Sequence, residues 1–301
     1  MILGLKKNLT KIWLFVTISA VLYYIFLNAD LIKSLNQELD SLSMLYISLF
    51  IFISKISSYV LTSFFIKKNT NQLKFLPLMS FSSINQIMKY IPGGFWHYLN
   101  RYLVYKNNFN STSIDGTKKY KNLVFEISIF TSTGVLLSSL TFFSTEALFS
   151  FQSYGYLYLV YFFSILIFFI SSYYLYKIYF NKLIMSEIIL INSLGILMHL
   201  TISYSLFLLL NFFQVNISFP ETVLINTIST LFGYYVFFAP GGIGARELCF
   251  MYTSSFFGND TSSMAYILIL HRILIILIEV FIFFMFFLIN FIFNKNNKVV
   301  I

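Results

Sequence analysis

Phe237-Phe238-Ala239-Pro240-Gly241-Gly242-Ile243-Gly244-Ala245-Arg246-Glu247 interrupts an otherwise apolar region, 222–257. Proline removes a backbone donor and ends a helix. Gly241, Gly242 and Gly244 allow tight turns and close backbone approach. A new helix is predicted to start near Ile243, with its first N–H groups unpaired and its positive dipole end exposed. Arg246 adds a full charge one turn in. Together these features predict an anion site of the kind built at helix N-termini. The alternative is a kink near a membrane interface, with Arg246 reaching outward and paired to Glu247.

A second stretch repeats the design. Lys89-Tyr90-Ile91-Pro92-Gly93-Gly94-Phe95-Trp96-His97-Tyr98-Leu99-Asn100-Arg101 breaks the apolar region 75–106. Lys89 precedes the break and Arg101 lies two turns after it. Trp96, His97 and Tyr98 suit a headgroup-level environment, so an interfacial amphipathic helix is the alternative here.

What surrounds the two breaks sets the solvent. The chain has 301 residues, of which 58% are hydrophobic and 10% charged. A soluble domain carries about 25% charged residues. Such a chain cannot cover a globule with polar surface, so a soluble enzyme is excluded and the bilayer is the expected solvent. A transmembrane helix needs about 20 mostly apolar residues. Six stretches qualify or nearly do: 12–29, 44–66, 123–143, 156–176, 188–213 and 265–293. The basic N-terminal segment is followed by an apolar run without a small-residue cleavage site, and is read as a retained first helix.

Pro92 and Pro240 lie about half the chain apart, each preceded by two apolar helices and followed by one. The expected fold is therefore an all-α polytopic membrane protein, one integral domain over 1–301. It divides into two repeats, about 1–150 and about 151–301. Each holds three full spans plus one Pro-Gly-Gly-broken segment, re-entrant or crossing, which gives six or eight spans. Three being odd, the second repeat would insert upside down, as in many transporters. With the N-terminus in the cytoplasm and each broken segment returning to its own side, fourteen of the twenty Lys and Arg fall on the cytoplasmic side and one, Lys33, falls outside. That is the positive-inside pattern, with both termini cytoplasmic. It accounts for the formal charge of +9 without nucleic acid as a partner.

Little else carries chemistry. Cys249 is alone, and His97, His199 and His271 have no ligand spacing, so no metal and no cofactor is expected. No nucleotide-binding motif occurs, and the polar stretch 106–122 reads as a plain loop. Charges inside the spans are few: Lys55, Glu126, Arg272 and Glu279. Such charges face the bundle interior and pair. Arg272 with Glu279, Glu126 with Arg272, and Lys55 with Glu279 are all open pairings.

The string Ala239-Pro240-Gly241-Gly242-Ile243-Gly244-Ala245-Arg246-Glu247 resembles the Pro-Gly-Gly-x-Gly-x-Arg-Glu signature of the lysylphosphatidylglycerol synthase transmembrane (flippase-like) family. Tyr90-Ile91-Pro92-Gly93-Gly94-Phe95-Trp96, with Arg101 after it, is similar to that family's first-half motif. Glu126 and His271-Arg272 stand where the family often has a Glu and a Tyr-Arg. In length and order the resemblance covers essentially the whole chain. It departs at Gly94, where a Lys is common and Lys89 would substitute, and no soluble synthase domain is encoded. The resemblance implies a stand-alone protein of the bacterial inner membrane and a role in moving lipids between leaflets.

The expected function is thus a flippase for an anionic or aminoacylated phospholipid, or for a lipid-linked envelope intermediate such as a polyprenyl-phosphate-linked glycan. Pro92, Gly93, Gly94, Trp96, Arg101, Pro240, Gly241, Gly242, Gly244, Arg246, Glu247 and Arg272 would bind it. Lys55, Lys89, Glu126 and Glu279 would be intramembrane charge partners. The competing classes are a membrane-embedded enzyme, with Glu247 or His97 as general base, and an accessory subunit of envelope polysaccharide or glycolipid assembly.

Overall fold

Helix length in this chain follows the apolar runs. The computed structural model describes residues 41–70, 75–90, 97, 99–102, 116–144, 166, 185–236, 240–255, 257 and 264–293. Among them every regular element is helical: α1 (Ser41–Thr70), α2 (Phe75–Ile87), α3 (Gly116–Ser144), α4 (Met185–Phe212), α5 (Phe219–Tyr235), α6 (Ala245–Ser255) and α7 (Met264–Phe293). Two short 3-10 turns, Met88–Tyr90 and Pro240–Gly242, sit at the two interruptions. Ser41–Lys67, Ser186–Phe212 and Met264–Ile289 are long and apolar enough to cross a membrane.

Large apolar side chains face outward, and many hydroxyl side chains are buried beside the apolar core. Leu45 and Leu49 on α1, Leu190 and Leu197 on α4, and Phe281, Phe284 and Phe287 on α7 are exposed. Ser54, Ser63, Ser82, Thr133, Ser203 and Asn226 are buried. Small hydroxyl residues let helices approach and then bond across the seam, which is how packing works where lipid removes the hydrophobic drive. Ser63 and Ser82 join α1 to α2 at 3.0 Å, Asn226 Nδ2 donates to Ser203 Oγ at 2.9 Å between α5 and α4, and Ser54 Oγ donates to the Met198 carbonyl at 2.9 Å between α1 and α4.

The largest apolar cluster joins α1, α4, α5, α6 and α7 through Ile47, Ile51, Leu206, Leu210, Ile225, Phe250 and Leu270. A second, Tyr59, Met79, Ile282 and Phe286, ties α1 and α2 to α7. α1 lies along α4, and α3 packs against both α4 and α5.

Local signals fix the ends. α4 stops where Gln214 takes φ 56°, with Val215 N–H donating to the Leu210 carbonyl at 3.0 Å, a left-handed cap. α5 starts on a capping box: Glu221 N–H donates to Ser218 Oγ and Ser218 N–H to the Glu221 carboxylate.

Three expectations need adjusting. The stretch 106–122 is not all loop, because α3 already begins at Gly116; Lys118, Lys119 and Lys121 are good helix formers that need no apolar environment. The apolar part of α3 is correspondingly shorter than the helix, Glu126–Phe142. The helix after the second break starts at Ala245, two residues beyond Ile243, because Gly244 holds φ 83°. The expected span 12–29 lies outside the described residues, and of 156–176 only Leu166 is described.

Candidate functional site

The first interruption ends α2. The helix tightens into the Met88–Tyr90 turn, and Lys89 Nζ lies 4.9 Å from the Tyr90 ring centre. Lys89 does not stand alone. Its Nζ is 2.6 Å from Glu279 Oε1 on α7, and Lys55 Nζ on α1 is 2.8 Å from the same oxygen. Glu279 is wholly buried. Two ammonium groups therefore share one carboxylate, a low-dielectric arrangement in which each ion is tolerated only because the other sign is in contact.

The second interruption follows α5. Gly241 has φ 57° and Gly242 φ 73°, a left-handed pair that side-chain-bearing residues rarely adopt. A Cβ at Gly242 would also stand 2.7 Å from the Gly233 carbonyl oxygen, so the turn is pressed onto the last turns of α5. α6 then opens with its acid turned back: Gly244 N–H donates to Glu247 Oε2 at 2.7 Å. The N-terminal amide expected to await an outside anion is thus occupied by the helix's own carboxylate. The other oxygen, Glu247 Oε1, accepts from Arg272 Nη1 at 2.8 Å, and Arg272 Nη2 donates to the Gly241 carbonyl. Arg272 clamps the turn through two arms of one planar guanidinium, a task suited to arginine.

Arg246 points elsewhere. Its stem lies against Gly233, where a Cβ would collide with it, and its Nη2 donates to Thr230 Oγ1. Among the described residues it has no carboxylate within ion-pair distance. The outward-reaching arrangement with Glu247 is not the one adopted.

A third cluster lies between α1, α3 and the helical residues 99–102. Arg101 Nη1 and Thr62 Oγ1 both donate to Glu126 Oε1, at 2.6 and 2.7 Å, and all three residues are buried.

The two 3-10 turns touch each other, with the Tyr90 ring 3.0 Å from where a Gly241 Cβ would stand. Around this junction is a cavity of about 160 Å³. Lys55, Lys89, Arg101, Arg246 and Arg272 line it, with Glu126 and Glu247 between them. Its remaining polar wall includes Ser54, Thr62, Gln86, Asn226, Ser229 and Thr230, together with His97, His199 and His271.

Nearly every charged residue singled out in the sequence therefore meets at one place. Lys55, Lys89, Arg101, Glu126, Gly241, Gly242, Arg246, Glu247 and Arg272 line the cavity, and Glu279 stands directly behind the lysines. Of the three open pairings, Lys55 with Glu279 forms; Arg272 takes Glu247, and Glu126 takes Arg101. Gly244 contributes its N–H while lying outside the lining, and Pro240 belongs to the 3-10 turn. Pro92, Gly93, Gly94 and Trp96 lie outside the described residues. Sequence reasoning passed over Thr62, Gln86, Asn226 and Thr230. Their only signal is polarity inside apolar runs, which many purely structural Ser and Thr share.

The histidines differ from one another. His271 Nε2 is 2.8 Å from Ser205 Oγ, whose own hydrogen goes to the Ile202 carbonyl, so the imidazole N–H is the donor. His199 Nε2 donates to the Phe130 carbonyl at 3.2 Å. His97 is buried with its ring 6.3 Å from that of Tyr234. Among the described residues no group of three or more His, Cys, Asp or Glu is placed to hold a metal ion.

What the arrangement can do chemically is bind negative charge away from bulk water, with arginine donors in fixed orientation. Comparison with protein-family models and with curated proteins gives no match.

Proposed function

We propose that this protein is a lipid flippase or transporter of the cytoplasmic membrane, carrying an anionic or lipid-linked envelope headgroup between leaflets. The observation that carries the reading is the cavity itself. Five cationic side chains line a buried space where the two interrupted segments meet, inside a bundle whose outer face is apolar. Placing one charge at mid-membrane costs at least ~2.5–3.5 kcal/mol on insertion scales. Structural pairing alone would be served by equal numbers of acids and bases, whereas a surplus of bases is suited to an incoming anion.

The transport step follows from the plan of two inverted repeats, with the N- and C-termini in the cytoplasm. The headgroup would enter the cavity while the acyl or prenyl chains stay in lipid. Rocking of one repeat against the other would then open the cavity to the opposite side. Arg272, held by Glu247 and by the Gly241 carbonyl, would keep the second turn in shape, and Arg246 would contact the phosphate. No general base is required, because no bond is made or broken.

The test is headgroup-resolved flipping in reconstituted vesicles. Arg246→Ala and Arg272→Ala are expected to lose transport while inserting normally in the membrane. Flipping at the wild-type rate by both variants would remove the proposed site.

A further inference from the structure

Among the described residues the charges around the cavity do not balance. Arg101 is matched by Glu126 and Arg272 by Glu247, each within 2.8 Å. Lys55 and Lys89 have Glu279 between them, which leaves one positive charge over. Among the described residues Arg246 has the Thr230 hydroxyl and no carboxylate at ion-pair distance, which leaves a second. Among the described residues the cavity and its backing thus carry two uncompensated positive charges.

Both surplus charges line the cavity beside the junction of the two 3-10 turns. Lys89 sits over the Tyr90 ring, that ring abuts Gly241, and Arg272 Nη2 is 3.4 Å from the Gly241 Cβ position. Arg246 rests on Gly233, whose carbonyl is pressed against Gly242. Lys89 thus belongs to the first of the touching 3-10 turns, and Arg246 borders the second through Gly233. The matched Arg101–Glu126 pair belongs to α3 and the 99–102 helix rather than to this junction.

A buried charge without a partner is strongly unfavourable, so the ligand that fits is the one whose charge equals the surplus. A phosphodiester such as phosphatidylglycerol brings one negative charge and leaves one cation unmet. An aminoacylated headgroup brings ammonium groups and worsens the imbalance. A diphosphate diester brings two negative charges on adjacent phosphorus atoms.

We infer that the cavity is a diphosphate site, and that the transported headgroup is joined to its lipid through a diphosphate diester. The inference rests on the transport reading for the lipid part and on the charge surplus for the diphosphate part. The same chemistry occurs in soluble nucleotide sugars, so both sources enter the test.

The experiment is calorimetric titration of the full-length protein in lipid nanodiscs at low salt. Four probes share one sugar: farnesyl diphosphoglucose, farnesyl phosphoglucose, the uncharged farnesyl glucoside, and UDP-glucose. Farnesyl diphosphoglucose is expected to bind about tenfold or more tighter than farnesyl phosphoglucose, the size of one additional charged contact. UDP-glucose is expected to bind more weakly than the lipid diphosphate. Arg246→Gln and, separately, Lys89→Met should each abolish the preference for diphosphate while leaving the monophosphate bound. Equal affinity for the two lipid phosphates overturns the diphosphate assignment and leaves the flippase reading standing. UDP-glucose binding as tightly as the lipid form overturns the lipid reading and keeps the diphosphate. Binding of no probe above the glucoside overturns both. Retained elution volume and helix content show that a variant has folded, and the wild-type series decides the matter if neither variant does.

Discussion

At the residue scale the shared carboxylate is the most exacting feature. Glu279 Oε1 receives both Lys55 and Lys89, so Glu279→Gln would strand two ammonium groups in the bundle. Breaking a buried ion pair costs about 3–5 kcal/mol. Thermal unfolding of the purified variant should show a loss of that order, and an unchanged midpoint would mean that water reaches the lysines. Arg272→Lys keeps the charge but cannot reach both Glu247 and the Gly241 carbonyl with a planar fork. Transport by this variant should fall by about tenfold or more in the vesicle assay, the loss of one charged hydrogen bond. The sequence reads out which residues these are but not how they pair. Ionisable residues in apolar runs stand out without a structure, and Lys55 with Glu279 was among the combinations open from spacing. That Lys89 joins them, or that Arg272 turns to Glu247 rather than to Glu279 on its own helix, depends on where α2 and α6 dock beside α7. No periodicity within one segment contains that docking.

At the element scale the helix ends carry independent tests. Gln214 closes α4 in the left-handed region, which costs a side-chain-bearing residue roughly 1–2 kcal/mol. Gln214→Gly should raise stability by up to about 1 kcal/mol, read as a higher unfolding midpoint; a fall would show that the Gln214 side chain supplies something the backbone does not. Ser218→Ala removes the capping box of α5 and should cost about 1 kcal/mol in the same measurement. α1, α4 and α7 were legible because a run of apolar residues long enough to span has few other structural outcomes. α3 was legible only in its apolar half, since its charged first turns look like loop. The 3-10 turns were legible as breaks but not as partners: Pro-Gly-Gly announces that a helix stops, whereas the meeting of the two turns is a property of the folded bundle.

At the scale of the molecule the outstanding expectation is orientation. With both termini cytoplasmic, single cysteines at Asn36 and Asn216 should react with an impermeant thiol reagent added outside, after Cys249 is replaced by Ser. Cysteines at Asn69, Ser113 and Asn181 should not. Labelling at 113 from outside would refute the arrangement. Asn216 is the most direct probe, because it lies in the described turn between α4 and α5. Composition alone made helices long and apolar enough to cross a membrane legible, because only 10% of the residues are charged. The inside of the bundle was less so, since one scatter of Ser and Thr serves both helix seams and cavity walls.

The contact between Gly233 and Arg246 limits how this chain can vary. The Arg246 stem occupies the space that any side chain at 233 would need. Lysine and arginine both carry a Cγ, so no cationic residue at 246 makes room for one. Gly233→Ala should therefore be a lesion without a charge-retaining suppressor at 246. In a selection for restored function, second-site revertants should map to the backbone around Pro240–Gly242, where the turn can shift, and not to position 246.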